Sequence, residues 1–363
     1  MKRKSTKSAA LIGAALLLVT AGFSGNVDRS GQAGATELLI NPWARSSGWA
    51  GANSSNATGL EATYSNVAGI AFIPKTELIF SYTDYLVGSG ISISSFGFTQ
   101  RVGETGALAL TVMSMNFGSI PITTVDNPEG GIGTFSPSFV NMGLSYAKGF
   151  SDNIYGGVTV RLISEAISNV QANDVCVDAG VQYVTGKMKQ IHFGVAVKNV
   201  GPATSFSGDG LSFTTPLPEN NPSGTSTYTV QNRSASFELP SLMNIGAAYD
   251  FYFSKDTASL KNNRITVAFT FTSNSYSKDD FLAGVEYSFR NWLMLRVGYD
   301  FEQGMWSNAD GISTDRTTVF TGPTAGITFQ CPFKNKSTLA LDYSYRATDP
   351  FSGVHSIGIR INL

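Results

Sequence analysis

The stretch Val140-Asn141-Met142-Gly143-Leu144-Ser145-Tyr146-Ala147 decides the fold. Successive side chains of an extended chain point to opposite faces, so Val, Met, Leu and Tyr share one side and Asn, Gly, Ser and Ala the other. One face is greasy and the other is small or wet. The same alternation runs through Val175 to Tyr183, Met243 to Phe251, Ile265 to Phe271, Phe281 to Phe289, Leu293 to Phe301, Leu339 to Tyr345 and Ile357 to Leu363.

Working outward, this pattern repeats in fourteen segments, near residues 77–85, 90–101, 107–117, 138–149, 154–164, 174–185, 191–199, 241–252, 264–272, 280–289, 292–301, 323–330, 338–346 and 354–363. Gly103-Glu104-Thr105-Gly106, Ser151-Asp152-Asn153 and Arg290-Asn291 read as tight turns on one side of the count. The long connections, near 118–137, 200–240 and 302–322, all fall on the other side. Short turns at one end and long loops at the other, with an even strand number, describe an outer-membrane barrel. A bilayer offers no water to free N–H and C=O groups, so amphipathic strands span it only as a closed barrel. A soluble sandwich is the alternative, and it would carry more charge on its second face. Phe150, Tyr155, Tyr183, Phe193, Phe251, Phe289, Trp292 and Phe301 gather near strand ends, as interfacial girdles do.

Composition agrees. Charged residues are 14% of the 363-residue chain, below the roughly 25% of an average soluble domain. No run of 18 apolar residues occurs, which excludes a helical membrane protein. Two histidines, His192 and His355, and two cysteines, Cys176 and Cys331, cannot assemble a usual zinc site or a disulfide scaffold, and no cofactor is expected. At the N-terminus, Lys2, Arg3, Lys4 and Lys7 precede an apolar stretch, Ala9 to Phe23, too short to span a bilayer. It reads as a secretory signal over residues 1–35, with Ala33-Gly34-Ala35 as the cleavage pattern and a site nearer Ser24 as the alternative. Removing it leaves 20 basic and 25 acidic residues, a net charge of −5, with no basic patch for nucleic acid.

Between signal and barrel, residues 36–74 are rich in Gly, Ala, Ser and Asn. Asn41-Pro42-Trp43-Ala44-Arg45-Ser46-Ser47-Gly48-Trp49-Ala50-Gly51-Ala52 and Gly59-Leu60-Glu61-Ala62-Thr63-Tyr64-Ser65-Asn66-Val67-Ala68-Gly69-Ile70-Ala71 carry the decisive residues. They resemble the N-terminal segment of FadL-like long-chain fatty-acid transporters and of the PorV/PorQ proteins of the type IX secretion system. Arg45, Gly51, Asn66, Ala68 and Gly69 occupy the motif positions of that segment. Lys198-Asn199-Val200-Gly201-Pro202, Glu238-Leu239-Pro240 and Gly284-Val285-Glu286-Tyr287 with Leu295-Arg296-Val297-Gly298-Tyr299 are similar to the PorV/PorQ branch. Val67 departs from the family, which has proline there.

The resemblance implies an all-β barrel of 14 strands over residues 75–363, with residues 36–74 as a hatch in the lumen, in the outer membrane of a Gram-negative, Bacteroidetes-type cell. A PorV/PorQ-like role implies binding of cargo C-terminal signal domains, a large translocon barrel and surface-attachment partners. The alternative is a FadL-like channel for hydrophobic compounds such as long-chain fatty acids. The loop Ala203 to Ser236, with Phe206, Leu211, Phe213, Leu217 and Tyr228 as scattered anchors, suits protein recognition, with Met305 and Trp306 beside it on another loop. A lipid-collecting site would show a dense apolar cluster, and neither Ser119 to Pro137 nor Gly304 to Thr321 carries one. Glu286, Arg296, Asp342, Arg346 and Arg360 fall on the small face of their strands, where lumen charges pair or line a route. No nucleophile and base share a strand face, since His355 and Ser356 are adjacent, so an enzyme is not expected. Cys176 falls within a strand and Cys331 at an expected periplasmic turn, which makes a disulfide doubtful.

Overall fold

The computed structural model describes residues 25–216, 227–253, 263–305, 318–333 and 337–363. Leu217, Trp306 and the first 24 residues of the expected signal lie outside them. In chain order the strands are β1 (Thr76–Tyr85), β2 (Ile91–Val102), β3 (Gly106–Asn116), β4 (Ile120–Pro121), β5 (Thr134–Phe135), β6 (Ser138–Gly149), β7 (Ile154–Ile167), β8 (Val170–Thr185) and β9 (Ile191–Val200). There follow β10 (Ser212–Pro216), β11 (Thr227–Gln231), β12 (Leu242–Tyr252), β13 (Asn263–Asn274), β14 (Asp280–Phe289), β15 (Leu293–Glu302), β16 (Phe320–Pro332), β17 (Thr338–Thr348) and β18 (Val354–Asn362). The pairs β4/β5 and β10/β11 are small hairpins in the long loops. The other fourteen close one antiparallel barrel, sealed where β1 meets β18 from Glu77↔Asn362 to Asp84↔His355.

All fourteen strands coincide with the fourteen alternating segments. The barrel's first strand starts and its last strand ends at the same rim, the turn end. Phe289 to Trp292 shows why a turn can be so tight there. Arg290 and Asn291 both take left-handed φ, 50° and 56°, and Trp292 N–H donates to the Phe289 carbonyl at 3.1 Å. That geometry matches the right-handed twist of paired strands. The loop end carries β4/β5, β10/β11 and the other long connections.

The greasy face points outward. Along β6, Met142, Leu144 and Tyr146 are exposed while Asn141, Ser145 and Ala147 are buried in the lumen. A continuous exposed band of Leu, Val, Ile, Phe and Tyr around a closed barrel is a surface made for hydrocarbon. Phe150, Tyr183, Phe193, Phe251 and Trp292 project from it near the strand ends. Tyr155 is the exception in the expected girdle: it faces inward and packs on Phe72, ring centroids 4.1 Å apart.

The lumen is filled by residues 36–73. Trp43, Leu60, Ile70 and Ile73 are buried against Ala107, Ala109 and Ala147 of the wall. Each such large apolar side chain contributes roughly 1.5–3 kcal/mol over an exposed one. The small inward face now has a physical cause, which is room for this hatch. A Cβ at Gly194 would lie 2.6 Å from the Ser54 carbonyl oxygen, and one at Gly298 would lie 2.4 Å from Trp49 backbone. Gly25 to Ala35, inside the segment expected to leave with the signal, pack on the loop end. Arg29 reaches Glu238 at 3.2 Å and lies over the Tyr276 ring, and Ala33 bridges Glu238.

Candidate functional site

The hatch divides the lumen into two chemically different halves. Its motif residues hold it in place. Asn66 starts the helical turn Val67–Phe72, its Oδ1 accepting from Ala68 N–H at 3.2 Å while its Nδ2 donates to the Val181 and Val195 carbonyls at 3.0 and 3.4 Å. One side chain thus caps a turn and ties it to two barrel strands. Gly69 leaves no room for a side chain, since a Cβ would sit 2.0 Å from the Ala57 oxygen, and Ala68 is fully buried. Gly51 takes a left-handed φ of 74°. Arg45, in the short helix Ala44–Ser47, places Nη2 3.5 Å from Glu286.

Below the hatch, toward the turn end, lies an ion-pair web. Glu286 is its centre, taking Arg296 Nε at 2.7 Å on one oxygen and Arg264 Nη2 at 2.7 Å on the other, with Arg45 beside them. Arg296 also donates to Thr328 Oγ1 at 2.7 Å, Thr328 donates to Asp342, and Arg360 stands 3.7 Å from Asp342. Asp250 extends the web, taking His192 Nε2 at 3.2 Å and Thr266 Oγ1 at 2.6 Å. Four of the five charges expected in the lumen therefore meet here. Arg346 does not: it pairs with Asp300 at 3.2 Å near the loop end. Arg264, Asp250 and His192 were not singled out in the sequence, although their phase in β13, β12 and β9 places them on the inward face. Glu61 of the hatch is buried nearby, and burial raises its carboxyl to about 7, against the opposing pull of Arg45.

Above the hatch the lumen opens into a vestibule of about 490 Å³. One wall is apolar. Ile93, Met115 and Phe139 face one another across β2, β3 and β6, Tyr85 opposes Ile91, and Phe117 meets Phe139 edge-on at 4.8 Å. Ile40 of the hatch packs on the same cluster. The dense apolar cluster absent from the long loops is thus present on strand ends. Its signal in the sequence is a change of phase. In β2 the lipid-facing apolar residues are Phe96 and Phe98, whereas Ile91 and Ile93 are apolar on the opposite parity. The facing wall is polar, with Asn274, Asp280, Asp300 and Arg346. Lys198 of β9 also borders the vestibule, buried, with its ammonium 3.6 Å from the centre of the Tyr64 ring. That is a cation–π contact, with no carboxylate partner among the described residues.

The loop residues do not converge. Phe206 stacks on Phe237 at 5.3 Å, Leu211 is half-buried in a short turn, and Met305 is buried against Tyr299. Phe213 and Tyr228 are exposed on one face of the β10/β11 hairpin. Cys176, buried, and Cys331, exposed, are both free.

No family model matches the chain, and no curated protein does. Solved structures do. The chain is similar to the toluene transporter TbuX of Ralstonia pickettii, at 12% identity and a TM-score of 0.50, and to the toluene transporter TodX of P. putida, at 13% and 0.52. The CymD monoaromatic hydrocarbon channel gives 10% and 0.52. Each match covers 89% of this chain and 97% of the other. This chain has their fold. The expectation of an all-β, 14-strand antiparallel barrel therefore holds at the level of the fold. The three are described as transporters or channels, and none carries a secretion-system description, so the PorV/PorQ branch has no support among them.

Proposed function

We propose that this chain is an outer-membrane channel that takes small hydrophobic compounds from outside the cell into the vestibule above its hatch. The observation that carries the reading is the inward apolar wall of Tyr85, Met115, Phe117 and Phe139 lining a cavity of about 490 Å³. Lumen positions of a membrane barrel are polar by default, and apolar side chains facing water there stabilise little unless something apolar covers them. Similarity in fold to barrels named for toluene and monoaromatic hydrocarbons is consistent with that ligand class. Lys198 supplies a buried cation for compounds with an anionic end, fatty acids included. The test is influx of toluene into proteoliposomes holding the full chain. Met115→Thr is expected to slow influx about tenfold while the barrel's unfolding midpoint moves little; unchanged influx removes the reading.

A PorV/PorQ-like role is the second reading, favoured by the exposed Phe213 and Tyr228 on the loop hairpin. Its test is a mild-detergent pull-down with and without Phe213→Ser/Tyr228→Ser. Capture of a large translocon barrel, or of secreted proteins sharing a C-terminal domain, that depends on these two residues would replace the channel reading.

A further inference from the structure

Residues 25–35 fall inside the expected signal, yet they are built into the loop end of the barrel. Gly25 N–H donates to Asp279 Oδ2 at 2.8 Å, and Asp279, 2% exposed, takes the Asn274 N–H at 3.1 Å on its other oxygen. Gly25 lies so close to the connection between β13 and β14 that a Cβ there would stand 2.7 Å from Asp279 N and 2.8 Å from the Ser277 oxygen. Only glycine fits. Arg29 Nη2 donates to the Tyr276 hydroxyl at 2.9 Å on that same connection, while Gly34 N–H donates to the Glu238 carbonyl at 3.0 Å on the connection into β12. One short segment therefore ties two loop-end connections together. The small residues of Ala33-Gly34-Ala35 also have a packing reason. A Cβ on Gly34 would run into the Phe237 ring, and Ala35 is 2% exposed in the cluster of Leu38, Ile163, Cys176 and Leu239. The pattern that reads as a cleavage site is thus one the fold requires. A second such pattern stands upstream, where Ala9 to Val19 is apolar, Thr20 ends the run, and the small Gly22 and Ser24 flank Phe23 just ahead of Gly25.

We propose that the leader is cut between Ser24 and Gly25, that Asp279 receives the amine so made, and that the mature chain therefore begins at the cell surface. Hydrolysis of that amide by the host's signal peptidase consumes one water and leaves a carboxylate on Ser24 and, at neutral pH, an ammonium on Gly25. The neutral N–H donor to Asp279 becomes a charged one, and such hydrogen bonds are about twice as strong. The long loops of a membrane barrel face outward and its short turns face the periplasm. From Gly25 the chain descends through the lumen as residues 36–73 and enters β1 at the turn end, where the Thr76 carbonyl accepts from Leu363 N–H at 3.0 Å. The two ends of the mature chain thus lie on opposite sides of the membrane, with residues 25–35 as a strap on the outer rim. This placement is independent of what the vestibule carries.

The full chain is produced in a Gram-negative host and purified from its outer membrane. Its intact mass is expected to begin at Gly25; a mass beginning at Thr36 overturns the proposal. Sidedness is read in the full-length Cys331→Ser protein, whose remaining Cys176 is buried, carrying Gln32→Cys on the exposed face of the strap or Asp152→Cys at an exposed turn. A membrane-impermeant maleimide is expected to label Gln32→Cys in intact cells, and Asp152→Cys only after the outer membrane is permeabilised. Ser30→Cys, also exposed, is the second strap variant should the first fold poorly. Strap labelling that needs permeabilisation overturns the surface location. The amine contact is tested with Asp279→Asn in detergent micelles. Trypsin cleavage after Arg29 is expected to quicken about tenfold, the worth of one charge-assisted contact, while cleavage after the exposed Arg233 stays unchanged. Equal rates after Arg29 in parent and variant overturn the contact.

Discussion

At the loop end, the inward side chains of β1, β2, β3 and β6 are Tyr85, Ile93, Met115 and Phe139; at the turn end, those of β13, β14 and β15 are Arg264, Glu286 and Arg296. Both sets face one lumen and are separated by one hatch. In the upper set, Tyr85, Met115 and Phe139 line a large cavity, with Ile93 buried behind them. In the lower set, Glu286 and Arg296 are 1% and 2% exposed with their charges spent on each other, while Arg264 reaches Glu286 from a partly exposed position. The difference teaches how a plugged barrel divides its work. Ion pairs far from bulk water have little to exchange with and fix the hatch, through Arg45, in one register. Apolar residues beside an open cavity keep surface that only an apolar visitor can cover.

The strongest way to break this contrast is Glu286→Ala. It would leave Arg45, Arg264 and Arg296 facing one another without their shared carboxylate, an expected loss of about 3–5 kcal/mol read from the denaturant midpoint of the barrel. A loss below about 1 kcal/mol would mean that water already reaches the web, and the two halves would differ less than the burial indicates. Glu61→Gln sharpens the same point through pH. The Glu61 carboxyl is raised to about 7 by burial, so it stabilises the fold while protonated, and that contribution is lost as pH rises from 4.5 through about 7. Glutamine should therefore leave stability unchanged near pH 4 and increase it by about 1–2 kcal/mol at pH 8, with melting at the two pH values as the check.

In the upper half, Lys198→Met separates ligand chemistry from stability. Binding of a fatty-acid anion in detergent should weaken about tenfold, the worth of one charge-assisted contact, while influx of toluene stays unchanged. Equal effects on both ligands would place Lys198 in the wall rather than at a head group. The smallest effect is expected outside both halves. Phe213→Ser/Tyr228→Ser on the exposed hairpin should move the unfolding midpoint by less than about 0.5 kcal/mol and leave toluene influx alone.

Much of this was legible in the chain because a membrane barrel writes its geometry locally. The eight residues from Val140 already state which face meets lipid, and the placement of Gly103-Glu104-Thr105-Gly106 and Arg290-Asn291 already sets the parity of the strands. The hatch residues Asn66, Ala68 and Gly69 were visible as a motif, although their reason was not. Only the fold shows that Asn66 binds carbonyls of β8 and β9 more than a hundred positions away. Spacing along the loop 203–236 says nothing about whether Phe206 will be spent on Phe237 or left to a partner.

Strand number, closure and the direction of the greasy face follow from the sequence alone, since period-two alternation and turn chemistry act between neighbours in the chain, while the plug was implied by the resemblance of residues 36–74. The vestibule and the web around Glu286 were decided by tertiary structure. Each requires residues from distant strands to be brought to one height in the barrel, and that height is set by the register of β1 on β18 and by the depth to which the hatch descends.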